Sequence, residues 1–196
     1  MANPAIALFF ATHDGQSRRI AEHIARRLAE NGIAAVPRDA DEAFAARDLS
    51  QAAVVVLIAA IRYGKHLPQA ERVLAVYQTL RRPPPLAFAS VNLTARKEGK
   101  TSATANAYLR KAIERLRLAP ALAVAFAGKL DYRRYRWNDR LIIRFIMLLT
   151  GGPTDPATCI EYTSWSAVDD FAAGIARLAA GRAPSSIALD ASAQSA

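Results

Sequence analysis

Ala7-Leu8-Phe9-Phe10-Ala11-Thr12-His13-Asp14-Gly15-Gln16-Ser17-Arg18-Arg19-Ile20 decides how the rest of the chain is read. An apolar run stops abruptly in small polar residues and a glycine, and a helical pattern starts at once. That order describes a buried strand, a tight turn and a helix N-terminus in one piece. Short hydroxyls and Gly15 allow backbone N–H groups to gather around one point, where the helix adds about half a positive charge. Such a turn suits a phosphate. The same residues also describe an ordinary strand-to-helix turn with Asp14 as the cap, because a carboxylate satisfies orphan N–H groups too.

Downstream, Ile20, Ile24 and Leu28 recur at helical spacing, with Arg18, Arg19, Glu22, Arg26 and Glu30 on the other faces. Asn31-Gly32 stops this helix, and Ile33 to Val36 reads as a short second strand. Residues 38–50 read as irregular or briefly helical. Ala53-Val54-Val55-Val56-Leu57-Ile58-Ala59-Ala60 is continuously apolar, as a central strand covered on both faces must be. A helix from Leu67-Pro68 to about Leu80 follows, then a proline-rich connector and a fourth strand, Leu86 to Val91. Residues 102–118 predict a helix and 121–127 a fifth strand. Residues 159–162 can form a further strand, and residues 165–180 form a closing helix with Val168, Phe171, Ile175 and Leu178 on one side. Alternating strands and helices of this kind predict a doubly wound parallel α/β sheet.

At 196 residues the chain is expected to be one domain with a sizeable core. A single cysteine, Cys159, allows no internal disulfide and fits a reducing compartment. The N-terminus shows no signal-peptide pattern, and no run approaches the roughly 20 apolar residues that span a bilayer. No cluster of His and Cys suggests a metal site. The formal charge of +9 points to a polyanion, an anionic membrane surface or an acidic substrate.

Ligands of such sheets bind beyond the carboxyl ends of the strands, where the strand order reverses. Three loops there carry more than a connector needs. The first is Thr12, His13, Asp14, Gly15, Gln16 and Ser17. The second is Ala60, Ile61, Arg62, Tyr63 and Gly64, with an aromatic face, a cation and a glycine. The third runs from Ser90, Val91, Asn92 and Leu93 to Arg96 and Lys97. A phosphate cradle, an aromatic and backbone hydrogen bonds together suit a flat phosphorylated ring system such as FMN. Taken singly, Tyr63 reads as a rim aromatic and Arg62 as a solvated charge.

Thr12-His13-Asp14-Gly15-Gln16-Ser17 resembles the flavodoxin phosphate loop, T-x-T-G-x-T. Asp14 stands where that loop commonly has threonine, which weakens its case as a phosphate ligand. Ser17 replaces the last threonine conservatively. Ile61-Arg62-Tyr63-Gly64, Ser90-Val91-Asn92-Leu93, Arg96-Lys97, Tyr132-Arg133-Arg134-Tyr135-Arg136-Trp137 and Gly151-Gly152 resemble one family in particular. It is the flavodoxin-like, menaquinone-dependent protoporphyrinogen IX dehydrogenases of bacterial haem synthesis. The resemblance covers about residues 5–180.

It implies a flavodoxin-like doubly wound five-stranded parallel sheet in a domain over 1–181, with a basic and apolar helical insertion at about 130–156; the Ala/Ser-rich residues 182–196 read, from their composition, as a disordered tail. It also implies an FMN-dependent oxidation of protoporphyrinogen IX to protoporphyrin IX. Electrons pass to a membrane quinone, menaquinone or ubiquinone, at the cytoplasmic face of the inner membrane. Arg62, Arg96 or Lys97 beside the flavin would stabilise its anionic reduced form. Arg62 and His66 are the candidates for a catalytic part, although the flavin carries the hard chemistry.

The block at 132–152 interleaves Arg133, Arg134, Arg136, Arg140 and Arg144 with Tyr132, Tyr135 and Trp137, then turns apolar from Leu141 to Leu149. It reads either as a membrane-interface segment or as a loop and helix packed on the domain. Its arginines also suit the propionates of a porphyrinogen. Alternatives are a flavodoxin-like NAD(P)H:quinone reductase, for which no dinucleotide fingerprint appears, and an electron-carrier flavodoxin, which the basic charge disfavours. A nucleic-acid-binding module has no recognised motif here. Homo-oligomerisation stays open.

Overall fold

The computed structural model describes residues 6–131, 155 and 157–181. Five parallel strands form its core: β1 (Ile6–Ala11), β2 (Ala35–Asp39), β3 (Val54–Arg62), β5 (Leu86–Val91) and β6 (Leu122–Phe126). They lie in the order β2-β1-β3-β5-β6, so the strand order reverses between β1 and β3. A two-residue strand, β4 (Lys65–His66), turns back antiparallel on the end of β3. This sixth strand was absent from the five-stranded expectation.

The alternation of side chains along each strand sorts the core into two layers. Leu8, Phe10, Val54, Val56 and Ile58 face α1 (Gln16–Glu30) and α5 (Trp165–Ala179), where they meet Ile20, Ile24, Val168 and Ile175. Phe9, Val55, Leu57 and Phe88 face the other way, toward α3 (Pro68–Gln78) and α4 (Ala107–Arg115). Central strands therefore need apolar residues at every position, which is why the 53–60 run does not alternate.

Two boundaries shift from the sequence reading, and the briefly helical stretch at 38–50 takes shape. β2 starts at Ala35, not Ile33, because residues 31–33 are used to close α1. The N–H groups of Asn31 and Ile33 donate to Leu28 O, and that of Gly32 to Ala29 O. A short helix, α2 (Ala46–Ser50), follows the strand. The helix read over 102–118 contracts to α4. Ala125 N–H donates to Thr101 O at 2.7 Å and Ser102 bridges Val124, so this stretch lines the edge of β6 instead of coiling. The Asn106 side chain then caps α4 by accepting from Leu109 N–H at 3.2 Å.

After β6 the chain enters β7 (Lys129–Asp131), which pairs antiparallel with β8 (Cys159–Glu161). This ribbon brings together the two roots of the expected insertion. The insertion's interior lies outside the described residues, as do Arg133, Arg134, Arg136, Trp137, Arg140 and Arg144 and the expected tail at 182–196.

Candidate functional site

The first wall of the site is the turn after β1. Gly15 is the N-cap of α1 at φ +89°, in the left-handed region that glycine enters without steric cost. Its N–H donates to Thr12 Oγ1 at 2.9 Å. The N-cap position thus falls on Gly15, not on Asp14 as expected, and carries no side-chain cap. The Asp14 carboxylate instead lies 3.9 Å from His13 Nε2. Ser17 is fully buried and its hydroxyl has no hydrogen-bond partner. A β-carbon on Gly15 would meet no protein atom within 4 Å. An orphan hydroxyl and open space at a helix N-terminus fit a phosphate group.

Gln16 has a second allegiance. Its Nε2 donates to Glu161 Oε1 at 3.0 Å and to Thr163 Oγ1 at 2.9 Å, while Arg19 Nη1 donates to Glu161 Oε2 at 2.8 Å. The residue beside the turn is thereby fastened to the return strand of the ribbon. Burial pushes the Glu161 carboxyl up, but the hydrogen bonds from Arg19 and Gln16 outweigh it and hold the group below the usual range.

The second wall is the hairpin between β3 and β4. Tyr63 (φ +49°) and Gly64 (φ +79°) form a two-residue loop with both residues left-handed. That geometry matches the twist of a hairpin, but strains a residue with a bulky side chain. The Arg62 guanidinium hydrogen-bonds His13 Nδ1 at 2.7 Å and Tyr63 Oη at 3.3 Å, and sits 5.0 Å from the Tyr63 ring centroid. It thus joins the hairpin tip to the first turn. The Tyr63 side chain is largely exposed, at 65%.

β5 and β6 supply the third wall. Asn92 accepts from Ala95 N–H at 3.2 Å and starts a single 3₁₀ turn, Leu93–Arg96, which delivers Arg96 and Lys97. Arg96 Nη1 donates back to Leu93 O at 2.9 Å. Together the walls enclose a cavity of about 610 Å³ at the β1/β3 reversal. Thr12, His13, Asp14, Gln16 and Ser17 line it from the first turn, Ala60, Ile61, Arg62, Tyr63 and Gly64 from the second, and Val91, Asn92, Leu93, Arg96 and Lys97 from the third. A second hollow, of about 570 Å³, lies at the opposite end of the sheet among Pro83, Pro84 and Pro85, away from these loops.

Three expectations need revision. Ser90 does not line the cavity: it is fully buried, and its Oγ is taken by Asn92 Nδ2 at 3.1 Å and His66 Nε2 at 3.0 Å. Gly15 shapes the turn without lining the cavity. His66, a candidate for a catalytic part, is 6% exposed on β4 and packs against Phe88. Burial lowers its pKa to about 4, with the charge of Glu71 acting upward and that of Arg115 downward. The imidazole is thus held neutral near pH 7 and enclosed beneath the cavity.

The remaining histidine, His23, bonds Asp169 at 2.6 Å and packs its ring at a tilt against Trp165, joining α1 to α5 away from the cavity. Thr94, within the third loop, also lines the cavity, as do Tyr108, Gly128 and Lys129, which were missed. Gly128 and Lys129 directly follow a predicted strand, so the strand-end rule could have found them. Tyr108 comes from a helix face, and only the packing reveals it.

A profile described as a flavodoxin domain matches residues 7–157. A protoporphyrinogen IX dehydrogenase [quinone] from Escherichia coli K12 is 38% identical over 175 residues, covering 87% of this chain and 94% of that protein. A protein of the same name from Leishmania major is 37% identical over 179 residues, covering 90% and 76%. Among solved structures, rubredoxin oxygen:oxidoreductase from Desulfovibrio gigas superposes with a TM-score of 0.55 at 13% identity. It covers 91% of this chain and 37% of its own, a likeness of fold.

Proposed function

From the membership of this chain in the flavodoxin-domain proteins, among the quinone-dependent protoporphyrinogen IX dehydrogenases, we propose that its flavin is FMN and that the cavity at the β1/β3 reversal holds it. The reaction is the oxidation of protoporphyrinogen IX with a quinone as acceptor. The observation carrying the assignment of the cavity is the first turn. A left-handed Gly15, the Thr12 hydroxyl and the orphan Ser17 hydroxyl converge at the N-terminus of α1.

When bound, FMN supplies the electron transfer between the tetrapyrrole and the quinone. The N–H groups at the start of α1 and the Ser17 hydroxyl hold the phosphate. Tyr63 offers a ring face, and the main chain of residues 91–93 offers donors and acceptors at the edge of a flat ligand. Arg62 places a cation where reduction adds negative charge, which favours uptake of electrons. Arg96, Lys97 and Lys129 make the far side of the cavity basic, suited to an acidic substrate.

The acceptor quinone is proposed to be met at the cytoplasmic face of the membrane, with the enzyme attached peripherally. Support comes from the +9 charge and from the arginine-rich, then apolar, sequence at 132–152. Among the described residues no helix is long and apolar enough to cross a bilayer. Two measurements test the reading: the flavin spectrum and extracted cofactor of the purified protein, and anaerobic turnover of protoporphyrinogen IX with a menaquinone analogue. FMN and quinone-dependent turnover are expected. A protein that takes up no FMN, or turns over only without quinone, would refute it.

A further inference from the structure

Beneath the cavity lies a chain of buried polar side chains that reaches the cavity lining only at Asn92. His66 Nε2 and Ser90 Oγ are 3.0 Å apart, Asn92 Nδ2 donates to Ser90 Oγ at 3.1 Å, and Asn106 Nδ2 donates to Asn92 Oδ1 at 3.2 Å. His66, Ser90, Asn92 and Asn106 are all buried. The chain runs from the hairpin after β3, through β5, to the cap of α4. Asn92 and Asn106 each cap a helical turn, so their local purpose is evident. Ser90 and His66 cap nothing.

What they join is informative. His66 pairs with Ile61 across the hairpin, and Lys65 with Arg62, so His66 is three residues beyond Tyr63 at the base of the two-residue loop. Tyr63 at φ +49° is a strained conformation that persists only where the surroundings over-determine it. β4 is only two residues long, and its ladder contact with β3 is correspondingly small. His66 adds a constraint to that ladder and to the Leu67 N–H bond to Ala60 O: it is pinned by the Ser90 hydrogen bond and by its ring contact with Phe88, centroids 5.2 Å apart. The same turn carries Arg62 and Tyr63 to the cavity mouth.

We propose that His66 is a positioning residue: bonded to Ser90 inside the sheet, it fixes the strained Tyr63–Gly64 turn and so sets where Arg62 and Tyr63 stand over the bound flavin. It acts through the turn and never meets the ligand. This rests on the assignment of the cavity to FMN. It adds that flavin affinity and reduction potential are governed from beneath the cavity as well as from its lining.

The test compares the holoprotein with His66→Leu, which keeps bulk and loses the bond, Ser90→Ala, which removes the partner, their double variant, and His66→Gln, whose amide can reach Ser90. FMN affinity is read by fluorescence titration and the midpoint potential by spectroelectrochemistry. Each of the first two variants should weaken FMN binding about tenfold, the effect of one buried hydrogen bond, and lower the potential. The double variant should lose no more than Ser90→Ala alone, because Ser90→Ala already removes the His66 link together with the Asn92 bond. His66→Gln should restore most of both quantities.

Variants that melt at a lower temperature yet keep the parent's affinity and potential would overturn the proposal, leaving the pair a matter of stability alone. Additive losses in the double variant would overturn it as well. If His66→Leu does not fold, Ser90→Ala and His66→Gln decide the question: a parental potential in Ser90→Ala refutes the link. A parent that binds no FMN would instead defeat the assignment of the cavity, which is a separate failure.

Discussion

Gly15, Arg62 and His66 each act for a different physical reason. At Gly15 the backbone is left-handed, and any β-carbon there carries a penalty of roughly 1–2 kcal/mol, more when branched. Protein atoms leave the space beside it open, so the strain is conformational and any crowding would fall on the ligand. Gly15→Val is therefore expected to reduce FMN affinity by more than about tenfold in a titration, a factor that corresponds to 1.4 kcal/mol. Arg62→Glu should lower the flavin midpoint potential, since the charge facing the ring changes sign; an unchanged potential would place Arg62 away from the ring. His66 makes stability depend on pH. The unfolded chain protonates it near 6.5 and the native protein only near 4. Between those values the unfolded state binds more protons, so stability falls as pH drops through the window, by up to roughly 3 kcal/mol. Urea unfolding of the parent and of His66→Gln at several pH values should show the extra slope only in the parent.

Among elements, the contact between α1 and the β7–β8 ribbon joins parts of the chain 145 residues apart. Gln16 and Arg19, one turn of helix apart, both bind Glu161 on β8, and Thr163 passes its own hydrogen on to Ala127 O at 2.7 Å. The helix that starts at the phosphate-suited turn is thus fastened to the base of the inserted segment. Glu161→Ala should lower stability by about 1 kcal/mol at pH 7, since the Arg19 pair is partly exposed and Gln16 keeps Thr163. Thermal melts check this. The deficit should shrink in acid, because a carboxyl held below its ordinary range contributes stability above that range and loses it as pH falls.

For the molecule as a whole, the +9 charge and the proposed membrane site make one joint claim. Arginines near an anionic bilayer contribute about 1 kcal/mol each before screening, enough for reversible attachment and too little for permanent insertion. The parent is expected to sediment with anionic vesicles at low salt and to be released by added salt. Changing Arg136, Arg140 and Arg144 together to glutamine should abolish sedimentation and spare FMN binding. Activity with a lipid-dissolved quinone should fall more than activity with a water-soluble acceptor. Vesicle binding that survives the triple change would move the attachment elsewhere on the surface.

The amino-acid sequence alone determined the α/β class, the positions of the five parallel strands and the three loops at their carboxyl ends. Buried parallel strands must be apolar at every position, and a strand that stops in small residues before a helix has few alternatives. It did not decide the fate of polar side chains within those loops. Gln16, Ser90 and His66 read as site residues because they lie in the right loops. Tertiary structure turned Gln16 toward Glu161, enclosed Ser90, and folded the hairpin so that His66 went inside. Strand and helix periods are local properties of the chain, whereas a hydrogen-bond partner 24 residues away, as for His66 and Ser90, or 145 away, as for Gln16 and Glu161, is set only by how the layers pack.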